Sequence, residues 1–183
     1  MNRNNMQAVE NLHGFALEET CVLSRVRNSE KVYICSPLRA DTDNGILNNM
    51  SAAGKYAGYA LNKLHYHATA LHSYLPFVLN DRIPEQREKA LRIGLKVLEN
   101  SDILMVCGDK ISDGMRGEIE YAVKLNKKIV VFNDQIFPQV LDIVSKSGSN
   151  QFNVRLDKEH PKMAKPPKEQ DYSKWLKLLR WEV

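Results

Sequence analysis

The stretch DGMRGEIEYA, Asp113 to Ala122, sets three carboxylates and two glycines directly after the apolar run SDILMVCG, Ser101 to Gly108. A carboxylate held beside an electron-poor carbon stabilises its charge or captures it as an ester, so each acid must be weighed for that role. Asp113 stands where a helix should begin and is expected to cap it, a contribution of about 1 kcal/mol. Glu120 precedes Lys124 by four residues, the spacing of an exposed helical ion pair. Glu118 differs. It neighbours the inward-facing Ile119, and the glycines before it, Gly114 and Gly117, clear space around that end of the helix. It can face a crevice at the strand ends, or it can be a surface glutamate favoured by the helix dipole. Spacing leaves both readings open.

The elements that must position these acids follow an α/β pattern. KVYICSP (Lys31 to Pro37) is a short apolar run of strand formers ended by proline. Asn44 to Leu64 has helical spacing, and HATALHSYLPF (His67 to Phe77) predicts a second strand and a loop stopped by Pro76. Pro84 opens a helix to about Asn100. DILMVCG is a continuous apolar strand of the kind buried on both faces of a parallel sheet. A helix from Asp113 follows, with Met115, Ile119, Ala122 and Val123 inward. Then come a strand at Lys128 to Phe132, a helix near Gln135 to Lys146 and a strand at Phe152 to Leu156. The alternation predicts a doubly wound, flavodoxin-like parallel sheet of about five strands over residues 31–157. An N-terminal arm (1–30) precedes it. A linker and an amphipathic C-terminal helix (158–183) follow, with Trp175, Leu178, Leu179 and Trp181 free to pack on the domain or on a second subunit.

The totals agree with one globular domain: 183 residues, 43% hydrophobic and 26% charged, with a net charge of +4. No Lys/Arg cluster is interleaved with aromatics, so a nucleic-acid polymer is not the expected partner. No apolar run approaches a membrane span, and the polar opening MNRNNMQ does not look like a signal peptide. The three cysteines, Cys21, Cys35 and Cys107, lack metal or redox spacing, and two of them lie in strand-like runs. Buried, reduced thiols and a cytoplasmic location are expected.

Ligands of such sheets bind beyond the carboxyl ends of the strands, where strand order reverses. The segments at those ends, SPLRAD (Ser36 to Asp41), HSYLP (His72 to Pro76) and GDKISDGMRGE (Gly108 to Glu118), concentrate polar groups while the strands feeding them are nearly pure hydrocarbon. Neither GxxxxGK[ST] nor GxGxxG is present, which argues against an ATPase, a kinase or a Rossmann dehydrogenase. His65, His67 and His72 are close in sequence, but no Cys or Asp joins them at ligand spacing, so no metal is expected.

DGMRGEIEYA resembles the signature of the nucleoside 2-deoxyribosyltransferase superfamily: an Asp-Gly pair, three residues, Glu-[Ile/Leu], an aromatic-containing helix, then a strand. The matching parts are Asp113-Gly114, Glu118-Ile119, Tyr121-Ala122, Lys127 and the strand Ile129 to Phe132. YICSPLRAD (Tyr33 to Asp41) is similar to the family's first strand and ligand-binding turn. ALHSYLPFVLND together with GDKISDGM looks closest to a largely uncharacterised bacterial subgroup, several members of which sit on mobile elements. The likeness runs from about Lys31 to Phe132. Three features depart from it. The acid that family transferases carry before the third strand has no counterpart around Ile93, the nearest acids being Asp81, Glu85 and Glu88. Ser112 replaces a frequent aspartate. The chain also continues to Val183, whereas classical transferases end soon after the core and borrow a neighbour's terminal carboxylate.

The resemblance implies cleavage of the N-glycosidic bond of a nucleoside or nucleoside 5′-monophosphate, with Glu118 as nucleophile. Water as acceptor makes a hydrolase, and a second base makes a transferase. Asp113 would hold a sugar hydroxyl or assist proton transfer. Ser36 and Arg39 would bind the hydroxymethyl or phosphate end, and His72 and Tyr74 would lie near the base. Pro37, Asp41, Gly108, Asp109, Ser112, Gly114 and Met115 complete the expected substrate-binding set. No cofactor is implied, and a homo-oligomer is expected. Two other readings stay open: an NAD glycohydrolase-type enzyme, and a nucleotide-sensing module without turnover. A cytokinin-type phosphoribohydrolase is disfavoured, since no PGGxGT-like run occurs.

Overall fold

A computed structural model describes residues 30–148 and 153–157. The expected N-terminal arm, the linker and the amphipathic C-terminal helix with its Trp175 to Trp181 stripe lie outside these residues, as does Cys21. In chain order the elements are β1 (Lys31–Cys35), α1 (Asp43–Asn62), β2 (His67–Thr69), α2 (Pro84–Glu99), β3 (Ile103–Val106), α3 (Asp113–Lys124), β4 (Lys128–Val131), α4 (Phe137–Lys146) and β5 (Val154–Leu156). Two 3-10 turns, Leu71–Ser73 and Leu75–Phe77, stand between β2 and α2.

The strands form one sheet of order β2-β1-β3-β4-β5, parallel at every pairing. Alternation along each strand divides the core in two. Tyr33, Cys35, Leu104, Val106, Ile129 and Val131 face α2, α3 and α4, against Leu98, Met115, Ile119, Val140 and Ile143. Val32, Ile34, Ile103, Met105, Val130 and Phe132 face α1, against Ala53, Ala60, Tyr56 and Tyr59. Burial on both faces is why the central strands are almost wholly apolar beyond their exposed first residues, Lys31 and Lys128, with Tyr33 the exception. The chain leaves β1 toward one edge through α1, then passes back over it through α2 to β3. The topological switch point therefore lies between β1 and β3.

The second strand is short, His67–Thr69, and the expected loop after it coils into the two 3-10 turns. There Pro76 has no amide to give a ladder, the Ser73 hydroxyl closes onto the Ala70 carbonyl, and Leu71 turns into the core. Two expectations need correction. Asp113 does not cap α3. Ser112 is the N-cap, accepting from the Met115 amide, and Asp113 occupies the first helical position, where its charge meets the dipole. In addition, no ion pair within 4.0 Å joins Glu120 to Lys124 among the described residues.

The loops leaving β1 and β3 are locked together. Gly108 has φ +109°, and a Cβ built there would lie 2.8 Å from Pro37 Cδ. Gly108→Ala is therefore expected to destabilise the protein by about 1–3 kcal/mol through strain and overpacking. Urea unfolding of the two proteins measures this.

Candidate functional site

Glu118 is placed by the register of α3. Met115, Ile119 and Ala122 face the sheet and are fully buried, so the position one residue before Ile119 is carried under the C-terminal end of β1. Glu118 is only 7% exposed. Tyr33, from the middle of β1, donates its phenol proton to Glu118 Oε1 at 2.6 Å. The second oxygen, Oε2, is buried with no hydrogen-bond partner. A buried carboxyl oxygen without a partner is costly in a protein interior, so such a group marks a place where an incoming ligand has something to offer.

That oxygen pair borders a cavity lined by Tyr33, Leu38, Leu71, His72, Leu75, Pro76, Leu79, Asp81, Ala90, Leu91, Gly94 and Glu118. Its volume is about 40 Å³. Most of the wall is hydrocarbon, and the polar groups on it are Tyr33, His72, Asp81 and Glu118, a pattern usual for small-molecule sites. Gly94 on α2 makes room for the acid pair: a Cβ there would lie 3.1 Å from the Tyr33 hydroxyl and 3.6 Å from Glu118 Oε1. His72 sits on the first 3-10 turn, its Nδ1 2.7 Å from the Ser36 carbonyl. A carbonyl can only accept, so Nδ1 carries the proton, and in the neutral ring Nε2 is left as the acceptor.

Burial first, and the Glu118 charge second, push the Tyr33 phenol well above its ordinary value. It stays protonated and therefore stays a donor. The same two causes push the adjacent Cys35 thiol up. On the opposite face burial raises Tyr56 to about 12.

The expected site residues fall into three groups. Glu118 and His72 meet in the cavity, and Arg39 reaches its margin through Asp81. Ser36 is buried close by, its hydroxyl without a partner, and Pro37 packs on Gly108. Asp41, Tyr74, Asp109 and Asp113 are exposed and do not line it, whereas Ser112 and Gly114 form the start of α3 and Met115 belongs to the core. Among the lining residues, Tyr33, Gly94 and Asp81 gain their roles only from the structure. Tyr33 falls in a strand-forming run, Gly94 carries no signal in its spacing, and Asp81 is only a nearby acid in the sequence. The local signal available was a tyrosine in an otherwise aliphatic strand. His65 and His67 do not join His72, and among the described residues no group of three or more His, Cys, Asp or Glu is arranged to hold a metal ion. No helix among them is long and apolar enough to cross a membrane.

Tyr33→Phe leaves Glu118 Oε1 without its donor, so a loss of about 1–3 kcal/mol is expected in urea unfolding. Glu118→Gln, which keeps an acceptor for Tyr33, should cost less. The pH dependence has a definite sign. A phenol raised in the fold contributes stability that is intact below its unfolded value of 10.0 and is lost as pH climbs through the folded value. Alkaline unfolding should therefore set in above pH 10, and the phenol absorbance of Tyr56 should titrate near 12. A transition already complete below pH 10 would contradict this.

Comparison with known proteins returned one family, described as a domain of unknown function, DUF7768, whose profile matches residues 30–132. The match takes in Tyr33, Gly94, Glu118 and the rest of the cavity wall. No curated protein and no solved structure matched the chain. More than half of the 183 residues align with the profile, and the chain belongs to the DUF7768 family.

Proposed function

We propose that this protein cleaves the N-glycosidic bond of a nucleoside or nucleoside 5′-monophosphate, with Glu118 as the nucleophile. One observation carries the reading: a buried carboxylate on a cavity wall, one oxygen fixed by Tyr33 and the other unpartnered. The motif resemblance around Glu118 supports it. In this scheme Oε2 donates an electron pair to the anomeric carbon as the carbon–nitrogen bond breaks, and that bond's electrons leave with the base. The departing base takes up a proton, which His72 on the same wall can give from Nε2 when its ring is cationic. Tyr33 keeps the carboxylate aimed. Water or a second base then attacks the glycosyl ester, giving its proton to Nε2 of the now neutral His72, and Glu118 is released as a carboxylate.

Asp113, exposed on the first turn of α3, is assigned no part in this scheme. A cytoplasmic setting, which fits the free buried thiols Cys35 and Cys107, belongs to the same proposal. The competing reading, a nucleotide-sensing module, draws on the engagement of the second cavity acid, Asp81, by Arg39 and Arg87.

The test is chromatographic detection of free base after incubation with deoxynucleosides, ribonucleosides, their 5′-monophosphates and NAD. Glu118→Gln and Glu118→Ala should lower release roughly a thousandfold or more. Tyr33→Phe should lower it about tenfold to a hundredfold by loosening the aim of the nucleophile. Release that survives in both Glu118 variants rules the mechanism out.

A further inference from the structure

Two guanidinium groups converge on a single oxygen beside the cavity. Arg39 Nε lies 2.9 Å and Arg87 Nη1 2.7 Å from Asp81 Oδ2. The three residues come from different places: the turn after β1, the loop before α2, and the opening of α2 itself. Asp81 lines the cavity that Glu118 borders. The charges do not balance, since one carboxylate faces two permanent cations. A group bearing two negative charges would match the pair better.

The arrangement is also exchangeable. The Arg39 side chain is 65% exposed, so solvent screens its hold on Asp81 and little is lost there when the carboxylate moves away, whereas Arg87, 28% exposed, is the more sheltered partner that a new anion must satisfy. A phosphomonoester presents three acceptor oxygens and carries nearly two negative charges at neutral pH. Guanidinium groups bind such oxygens in pairs, and two of them can share one phosphate.

Displacing Asp81 has a second effect. The same loop is tied to the start of α1 by Arg82 on Asp43. With Arg39 on Asp81, two ion pairs strap the Asn80 to Ile83 loop to the turn after β1 and to the start of α1. The cavity beneath, at about 40 Å³, holds roughly three waters, too few to equal the volume of a pentose. An anion that takes Arg39 and Arg87 from Asp81 undoes one of the two straps as it binds.

We infer that Asp81 is a resident counter-anion occupying the place of a substrate phosphomonoester, and that Arg39 and Arg87 together select a nucleoside 5′-monophosphate over the uncharged nucleoside. The inference rests on the proposed nucleotide-binding role of this cavity but not on turnover. It makes Asp81 a specificity residue and assigns it no catalytic step.

Isothermal titration calorimetry tests it, with inorganic phosphate, a nucleoside 5′-monophosphate and the matching nucleoside as separate titrants. Asp81→Asn should bind phosphate and the monophosphate on the order of tenfold more tightly, a gain the nucleoside does not share. Arg87→Gln should lose about tenfold for the monophosphate alone. Equal or weaker phosphate binding by Asp81→Asn overturns the inference, as does an equal loss for nucleoside and monophosphate in Arg87→Gln. Inorganic phosphate binding as tightly as the nucleotide also overturns it, because the site is then a plain phosphate site. Should thermal unfolding show that Asp81→Asn has lost the fold, Arg39→Gln, at an exposed position, carries the same nucleoside-against-monophosphate comparison. The two proposals fail separately. No base release with this binding pattern intact defeats the catalytic reading alone, and base release with affinities blind to Asp81 and Arg87 defeats this one alone.

Discussion

A carboxylate taken out of water must be met by a donor, and at Glu118 that donor is a phenol from the middle of β1. Much of the surrounding architecture serves this hydrogen bond. Tyr33 is itself buried, flanked by Val32 and Ile34 that point to the other face of the sheet, so its side chain has one direction open to it. Ile119 and Met115 anchor α3 on the same layer and bring Glu118 to meet it. Gly94 withholds a side chain where α2 passes the pair. Were any of these contacts loosened, the acid would be stranded with neither water nor partner, a situation costlier than most core defects.

The pairing is half complete, and that half carries the chemical interest. A purely structural buried acid would be expected to find donors for both oxygens. Here Oε2 is unpartnered, and the hydroxyl of Ser36, also buried, is unpartnered nearby at the end of β1. Both groups lie near the switch point between β1 and β3, where the outgoing connections diverge to opposite faces and leave a crevice. The contact of Pro37 with Gly108 holds the two loops at that crevice in register. Apolar lining below and ion pairs at the margin separate a dry region, where a charge acts strongly, from a wet one, where charges exchange.

Most of the fold could be derived from periodicity. Continuous apolar runs at Val32 to Cys35 and Ile103 to Cys107 could only be strands covered on both sides, and helices opened by Pro84 or preceded by polar caps followed from local chemistry. The errors fall where a long-range term overrides a local one. Glu120 and Lys124 have the spacing of a helical ion pair, yet among the described residues the two do not meet within 4.0 Å. Asp113 is the cap expected from sequence, but the backbone places Ser112, a residue of similar capping strength, in the extended conformation that a cap requires.

For the site, the sequence by itself determined that an acid-rich helix start follows a buried strand, and that Glu118 is the acid nearest the inward face. Those are properties of spacing, and spacing is local. Only the tertiary structure decided which way that acid points and what meets it. Tyr33 and Glu118 are 85 residues apart, and Arg39 and Asp81 are 42 apart, so no short-range pattern couples them. They meet because parallel pairing sets β1 beside β3 and the return over β1 through α2 draws the loop holding Asp81 across the strand ends.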